Sequence, residues 1–342
     1  MLKQVYSPAK SVQQSRWITR GWTYQEGFLS RRKLFFTEQG VALWCGLTYY
    51  EEGVSRNLPD RGDRGDHAER QFIPRVIAKV APVSYSVDMV TVHMVIGEYT
   101  KREITFEHDT LNACLGVLNY LGCKHLWGIV IQEQPFSLDL CWSIAHDGAP
   151  EQEAFPSWSW TRWKGPVTFY LQDRPSSIAS IKTRLPSGEE LDILRDSRYK
   201  GNLGAICSGK VLRITGTFLT SRFLVEEEDH GVSCYSIILC ACGADIKMST
   251  DLDMGTGSFV STTANLDGTE ILEVTQLYKD TEGCVDGQFL LVQRHMDAYR
   301  RIGLAFCGRD YRIKHICEKL EHHKASFIVP LEGRYVRTID LI

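Results

Sequence analysis

The signatures that usually announce chemistry are missing from this 342-residue sequence. It has no G-x-x-x-x-G-K-[ST] phosphate loop, no G-x-G-x-x-G fingerprint, no H-E-x-x-H helix and no G-x-S-x-G elbow. Phosphate cradling, dinucleotide binding, zinc hydrolysis and serine-nucleophile chemistry therefore have no local spacing to support them, and no cofactor is expected. No apolar run approaches the ~20 residues of a membrane span. No basic head, apolar stretch and small-residue cleavage site follow one another at the start, so no secretory leader is expected. Neither sign of charge dominates: 39 Lys and Arg against 42 Asp and Glu leave a formal net charge of -3. That balance gives no electrostatic reason to expect nucleic acid or an anionic membrane as partner. Asn-x-Ser/Thr sequons are absent. Tryptophan is absent after position 163, since all eight (17, 22, 44, 127, 142, 158, 160, 163) come earlier. We read this as a composition boundary near Lys164-Gly165-Pro166, where the Gly-Pro pair also punctuates the chain.

What is present is ordinary for a folded protein, with 43% hydrophobic and 24% charged residues in a chain long enough for two domains. The 11 cysteines are odd in number and scattered through apolar segments such as Ile237-Ile238-Leu239-Cys240-Ala241-Cys242. In a long chain that pattern reads as buried thiols in a reducing, cytoplasmic setting, not as a disulfide framework. Cys234, Cys240 and Cys242, with His230 nearby, lack a Cys-x-x-Cys spacing and a clear fourth ligand, so small buried hydrophobes are preferred to a zinc site and no metal is expected.

Local patterning sets out the elements. Two apolar runs, 34–37 and 41–45, flank Glu38-Gln39-Gly40 and predict a β-hairpin. Residues 51–71 form a charged, Gly-rich loop in which Arg61-Gly62-Asp63 and Arg64-Gly65-Asp66 read as solvated chain. The segment 87–103 is β-branched enough for a strand but has helical apolar spacing at 92, 95, 96 and 99. Residues 109–121 predict a helix with Asp109 as N-cap, Leu111, Leu115, Leu118 and Leu121 inward and Gly122 as stop. A short helix is expected over 137–146 with Ser137 as cap. Beyond residue 165, strands are predicted over 211–218, 233–241, 270–278, 288–293, 301–306, 326–330 and 335–342, with one helix over 311–322. The fold class is α+β.

The densest stretch is Arg16-Trp17-Ile18-Thr19-Arg20-Gly21-Trp22-Thr23-Tyr24-Gln25-Glu26-Gly27-Phe28-Leu29-Ser30. Thr23 and Glu26 have the T-x-x-E spacing of a capping box, with Gly21 turning the chain before the cap and Trp22 stapling onto Gly27 or Phe28. A second dense stretch, Phe155-Pro156-Ser157-Trp158-Ser159-Trp160-Thr161-Arg162-Trp163, alternates aromatic and small polar residues. As a strand it would put Trp158 and Trp160 on one face and Ser157, Ser159 and Thr161 on the other. A buried seal is preferred there; a sugar-stacking surface built on Trp158, Trp160 and Trp163 is the alternative.

These stretches also carry a family resemblance. Arg20-Gly21-Trp22-Thr23-Tyr24-Gln25-Glu26, followed by Leu29-Ser30-x-Arg32-x-Leu34-x-Phe36, resembles the last signature block of the fungal heterokaryon-incompatibility (HET) domain. Asp109-x-Leu111-Asn112-Ala113, continuing to Gly116-x-Leu118 and Leu126-Trp127-Gly128, resembles a block of the region that follows that domain. Phe155-Pro156-Ser157-Trp158-Ser159-Trp160 resembles another, and the order is the family's. The family's earlier blocks, a strand-rich half with Trp-Gly and Asp-x-x-Cys-Ile-Asn-Gln signatures, are absent, so the chain resembles a HET protein that begins near the end of its HET domain. The resemblance implies residues 1–50 as the C-terminal portion of a HET-like, TIR-like domain, 51–164 as a charged loop and Trp-rich helical connector, and 165–342 as a β-rich domain with one helix. It tips 87–103 towards helix. It implies a cytoplasmic fungal protein of non-self recognition and programmed cell death, acting through a protein partner or self-association, with a truncated, non-signalling member that partners intact relatives as the variant reading. Because some TIR domains hydrolyse NAD with an essential glutamate, Glu26 is also a candidate catalytic carboxylate, the structural cap being preferred.

Overall fold

The computed structural model describes residues 8–45, 48–52, 54–56, 89–133, 136–144, 151–170, 176–193, 195–196, 209–219, 222–227, 233–238, 249–252, 269–274, 278–279, 285–307 and 334–342. The expected loop over 51–71 falls mostly outside them, as do the 311–322 helix, the 326–330 strand, Cys240, Cys242 and His230. The architecture is α+β, and the chain divides into two compact units, Met1–Gly122 and Cys123–Ile342. The change of unit falls at Gly122, whose φ of +71° ends a helix.

The first unit holds five helices among the described residues: α1 (Pro8–Gln13), α2 (Arg16–Thr19), α3 (Trp22–Leu29), α4 (Met89–Thr100) and α5 (Asp109–Tyr120). It also holds a four-stranded antiparallel sheet in the order β1 (Arg32–Thr37), β2 (Gly40–Cys45), β3 (Thr48–Glu51), β4 (Val54–Arg56). The predicted hairpin is β1–β2: Thr37 pairs with Gly40 across a two-residue turn, and Gly40 takes a φ of +126° that suits a residue without Cβ. The ambiguous 87–103 segment is helix α4, with Val92, Val95, Ile96 and Tyr99 buried. Helix α5 buries Leu111, Ala113, Cys114, Val117 and Leu118. Its N-cap is His108; Asp109, expected as the cap, is the first helical residue.

The second unit is strand-rich. A hairpin ladder joins β5 (His125–Leu126), β6 (Ile129–Glu133) and β7 (Phe136–Leu138), and β8 (Trp142–Ile144) pairs with β9 (Val167–Phe169). The short helix expected over 137–146 is therefore not formed. Leu138 pairs with Ile131 and Trp142 with Phe169, so long-range ladders override a weak local helical pattern. The main sheet comprises β10 (Ile178–Arg184), β11 (Glu190–Asp192), β12 (Leu212–Leu219), β15 (Ser249–Leu252), β16 (Thr269–Glu273), β17 (Tyr278–Lys279), β18 (Val285–His295), β19 (Ala298–Cys307) and β20 (Arg334–Leu341); β13 (Arg222–Glu227) and β14 (Ser233–Ile238) form a separate hairpin. Its path runs β11-β10-β12-β16-β18-β19-β15, with β17 on β18 and β20 against β12 and β19. On β12 burial alternates along Leu212, Ile214, Gly216 and Phe218, the signature of one covered face. Phe289–Val292 on β18 are buried on both faces.

His125 is fully buried, and neither ring nitrogen has a hydrogen-bond partner among the described residues. Burial disfavours the imidazolium and pushes its pKa down from 6.5 to about 4. The unfolded chain thus binds this proton more readily than the folded one, so stability is full above about pH 6.5 and is lost as pH falls towards 4. The loss from this residue amounts to about 3 kcal/mol. Urea melts at neutral and mildly acid pH should show the decline in the wild type, and His125→Leu should flatten it; an equally steep decline in the variant would assign the acid sensitivity to other groups.

Candidate functional site

The motif residues Arg20 to Glu26 do not form the expected capping box. Helix α3 begins at Trp22, its N-cap is Gly21 in ordinary helical geometry with φ of -61°, and no side chain caps it. Thr23 lies one residue inside the helix and is buried. Its hydroxyl points back to the carbonyls ending α2, reaching Trp17 O and, at 2.7 Å, Arg20 O, and accepts at 3.4 Å from Arg102 Nη1. The carbonyls at the end of one helix outcompete the start of the next for the same hydroxyl. Gly21 is needed for closeness, not for a turn: a Cβ there would strike the side chain of Ile104. The Gly21 N–H donates to Glu103 O at 2.8 Å and the Glu103 N–H to Thr19 O at 2.7 Å, clipping the motif to the segment after α4.

Trp22 does not staple onto its own helix either. Its indole N–H donates to Asp109 Oδ2 at 3.2 Å, and Gln25 Oε1 accepts from the Gly116 N–H at 3.2 Å. Both contacts tie α3 to α5, so the first two blocks of the sequence motif meet in space. Gly116 sits in mid-helix, where glycine costs about 1 kcal/mol relative to alanine; a Cβ there would lie 2.6 Å from Gln25 Oε1. Tyr24, fully buried beneath, donates to Val95 O at 2.9 Å, and Arg102 stacks over its ring at 4.9 Å. Burial raises the Tyr24 hydroxyl well above its ordinary range and lowers the Arg102 guanidinium. Leu111 and Ala113 belong to the buried face of α5, while Asn112 is exposed and donates to His108 O at 3.1 Å.

Glu26 is the motif residue that points outward. It is exposed and lines a groove of about 810 Å³ along β1, walled by α1, α3 and the strand, with Arg32, Lys33 and Glu38 among its charged residues. The groove is open, and among the described residues no reciprocal backbone bond holds the Glu26 carboxylate.

A second node occupies the other unit. Trp127 and Gly128 are the two turn residues between β5 and β6, with φ of 51° and 86°. Both central residues at positive φ make a type I′ turn, which tryptophan rarely enters. The position is held because Trp127 O accepts from Ser159 Oγ at 2.6 Å, its indole N–H donates to Gly209 O at 3.4 Å, and its ring meets Phe155 edge-on at 6.2 Å. Trp160 Nε1 donates to Gly128 O at 2.9 Å, and its ring lies where a Gly128 Cβ would be, 2.8 Å away. Trp158 Nε1 donates to Lys210 O at 2.8 Å, and Trp142 Nε1 to Trp158 O at 3.2 Å. Ser157 bonds Ile342 O by its N–H at 3.1 Å and by its hydroxyl, and its Oγ accepts from the Arg301 N–H at 3.0 Å. Pro156 and Phe155 are buried in the same cluster.

The 155–163 stretch is therefore turns and a short 3-10 helix, Trp160–Arg162, not a strand; Ser159 caps it by accepting from Thr161 N at 3.1 Å. Trp158, Trp160 and Trp163 are at most 4% exposed, so the sugar-stacking alternative has no surface. Arg301, 1% exposed, lies 3.6 Å over the Trp142 ring and donates to the Trp142 carbonyl. Nothing in the sequence marked Arg301, Lys210 or Glu103 as members of these nodes. The glycines at 116 and 128 were the available signal, since each sits where closeness to a distant side chain is the simplest reason for its presence. Among the described residues no cluster of His, Cys, Asp or Glu has metal-binding geometry, and no helix is long and apolar enough to cross a membrane. No protein-family model, no curated protein and no solved structure matches the chain.

Two contrasts test this geometry by chemical denaturation. Thr23→Val should cost about 1–3 kcal/mol by removing the two hydrogen bonds of a buried hydroxyl to the end of α2, whereas Glu26→Ala should stay within about 0.5 kcal/mol; comparable losses would restore the capping box. Gly128→Ala should cost roughly 1–3 kcal/mol more than Gly188→Ala, because the backbone penalty at positive φ is shared while overpacking arises only at Gly128. The Gly188 site, φ of +87°, has nothing within 4 Å of the added methyl.

Proposed function

We propose that this chain is an intracellular fungal protein of the heterokaryon-incompatibility type, working in non-self recognition and cell-death signalling through protein contacts. The observation that carries the reading is the convergence of its signature blocks. Residues 20–26 grip Asp109 and Gly116 from a distance of about ninety positions, through Trp22 to Asp109 and Gln25 to Gly116. Trp127-Gly128 and Ser159-Trp160 grip each other across about thirty. Residues that interlock in this way are scaffold, which suits a module whose output is a conformation or a surface. Conditional expression in a filamentous fungus, alone and beside an intact HET protein, should alter growth arrest. The variant Trp22→Ala, at matched protein level, should remove the effect. Identical growth in every arm would reject the reading.

One feature favours a second reading, NAD hydrolysis. The Glu26 carboxylate faces an open groove beside Arg32 and Lys33 and is not consumed by a cap. A carboxylate beside a ribose stabilises the oxocarbenium ion formed as nicotinamide leaves, and water then completes ADP-ribose with release of a proton. The TIR likeness behind this is an analogy of fold, which by itself does not carry activity. Incubation of the purified chain with NAD decides it: release of nicotinamide by the wild type and its loss in Glu26→Gln, with folding unchanged, establishes the enzyme, and no release by either form removes it.

A further inference from the structure

Among the described residues, the sheet of the first unit ends in a strand whose outer edge is unpaired and whose outer face is exposed. Strand β1 is terminal in the order β1-β2-β3-β4. Because Thr37 and Gly40 close a two-residue turn, their pair carries the ladder bonds, and so do the alternate pairs Phe35–Ala42 and Lys33–Trp44. Val41, opposite Phe36, accordingly gives its carbonyl to Glu52 N on the far side at 2.8 Å. The N–H and C=O groups of Arg32, Leu34 and Phe36 therefore point away from the sheet.

The same residues carry the exposed side chains. Leu34 is 53% and Phe36 78% exposed, and Tyr50 on the same face is 42% exposed, while the opposite face takes the packing: Phe35 meets Trp17 edge-on and Lys33 lies over the Trp44 ring. Natural edges are usually blocked by a projecting lysine, a proline or a bulge. Here the lysine is turned onto its own sheet, and Arg32–Thr37 contains neither proline nor a register shift against β2.

We propose that β1 pairs antiparallel with β1 of a second copy across a two-fold axis at Phe35, joining two four-stranded sheets into one of eight. The pattern of exposed positions selects both partner and register. Antiparallel bonding requires outward-pointing residues to face each other, so even-numbered positions must oppose even-numbered ones. Centring on Phe35 sets Leu34 opposite Phe36 of the second copy and brings Arg32 beside Glu38 of the second copy, the first residue of the turn after β1, and symmetry repeats both pairs. A shift of one step in either direction centres on Leu34 or Phe36, opposing Arg32 to Phe36 or Leu34 to Glu38. Only the Phe35-centred register matches apolar with apolar and basic with acidic. This inference goes beyond the signalling reading and does not depend on whether Glu26 is catalytic.

The test is the oligomeric state of the full chain by sedimentation over a dilution series. The wild type should show a concentration-dependent monomer–dimer equilibrium. Arg32→Glu and Glu38→Arg, each placing like charges opposite at two symmetric positions, should weaken it roughly 2- to 30-fold. The double variant should return to within a few-fold of wild type, since the swapped charges again face each other. Phe36→Lys, at a position too exposed to matter for the monomer, should leave monomer only, with an unchanged thermal midpoint. A wild type that stays monomeric at every concentration, a dimer indifferent to the single swaps, or a double variant as weak as the singles would each overturn the proposal. Loss of dimer with fungal growth effects retained would separate this surface from the signalling reading.

Discussion

The close approach of long side chains to glycine backbone is the constraint on which both units rest. At Gly21 the side chain of Ile104 occupies the space of a missing Cβ; at Gly116 the Gln25 amide does so, and at Gly128 the Trp160 indole. In the last two cases the same side chain also bonds the main chain it approaches, Gln25 Oε1 to the Gly116 N–H and Trp160 Nε1 to the Gly128 carbonyl. Shape and hydrogen bonding thus act at one point. At Gly116 and Gly128 a methyl group would push the side chain away from both the surface it packs on and the main-chain group it bonds.

From these nodes the rest follows by burial. In the first unit α3 is fixed to α5, Tyr24 and Tyr99 fill the space beneath with their hydroxyls on backbone carbonyls, and Arg102 spans the end of α2 and the Tyr24 ring. In the second unit Trp142, Trp158 and Trp160 bury large apolar areas while each indole N–H finds a carbonyl, which is the condition for tryptophan to be core. Arg301 enters that core stacked on Trp142 and bonded to its carbonyl, a guanidinium placed where its flat face is used as much as its charge. Glu26 is the contrast. It belongs to the same run of residues as Thr23 and Gln25 yet faces solvent, which leaves it available for chemistry or for nothing.

Elements with a strong local period were legible in the chain. The α5 helix, the stop at Gly122, the β1–β2 hairpin and the strands around 212–219, 285–295, 298–307 and 334–341 follow from spacing, turn residues and β-branched content. The capping box and the 137–146 helix were misread for one reason. Thr23 had two possible acceptors or donors and Trp142 two possible partners, and the winning one lay outside the window: carbonyls of a preceding helix for Thr23, a strand twenty-odd residues downstream for Trp142. The alternation of 155–163 mimicked a strand because its small polar residues alternate for a different purpose. Ser157 and Ser159 anchor Ile342 and Trp127, and such contacts have no period.

The sequence by itself determined the α+β class and the regular elements of strong local period, because composition and local periodicity are properties of neighbouring residues. Tertiary structure alone decided what those blocks do. It set Trp22 on Asp109 and Trp160 on Gly128, turned Glu26 outward, and left β1 as the terminal strand of its sheet among the described residues. Those outcomes are competitions between near and distant partners for the same polar groups, and such a competition is resolved only when the chain has brought the distant partners within hydrogen-bond reach.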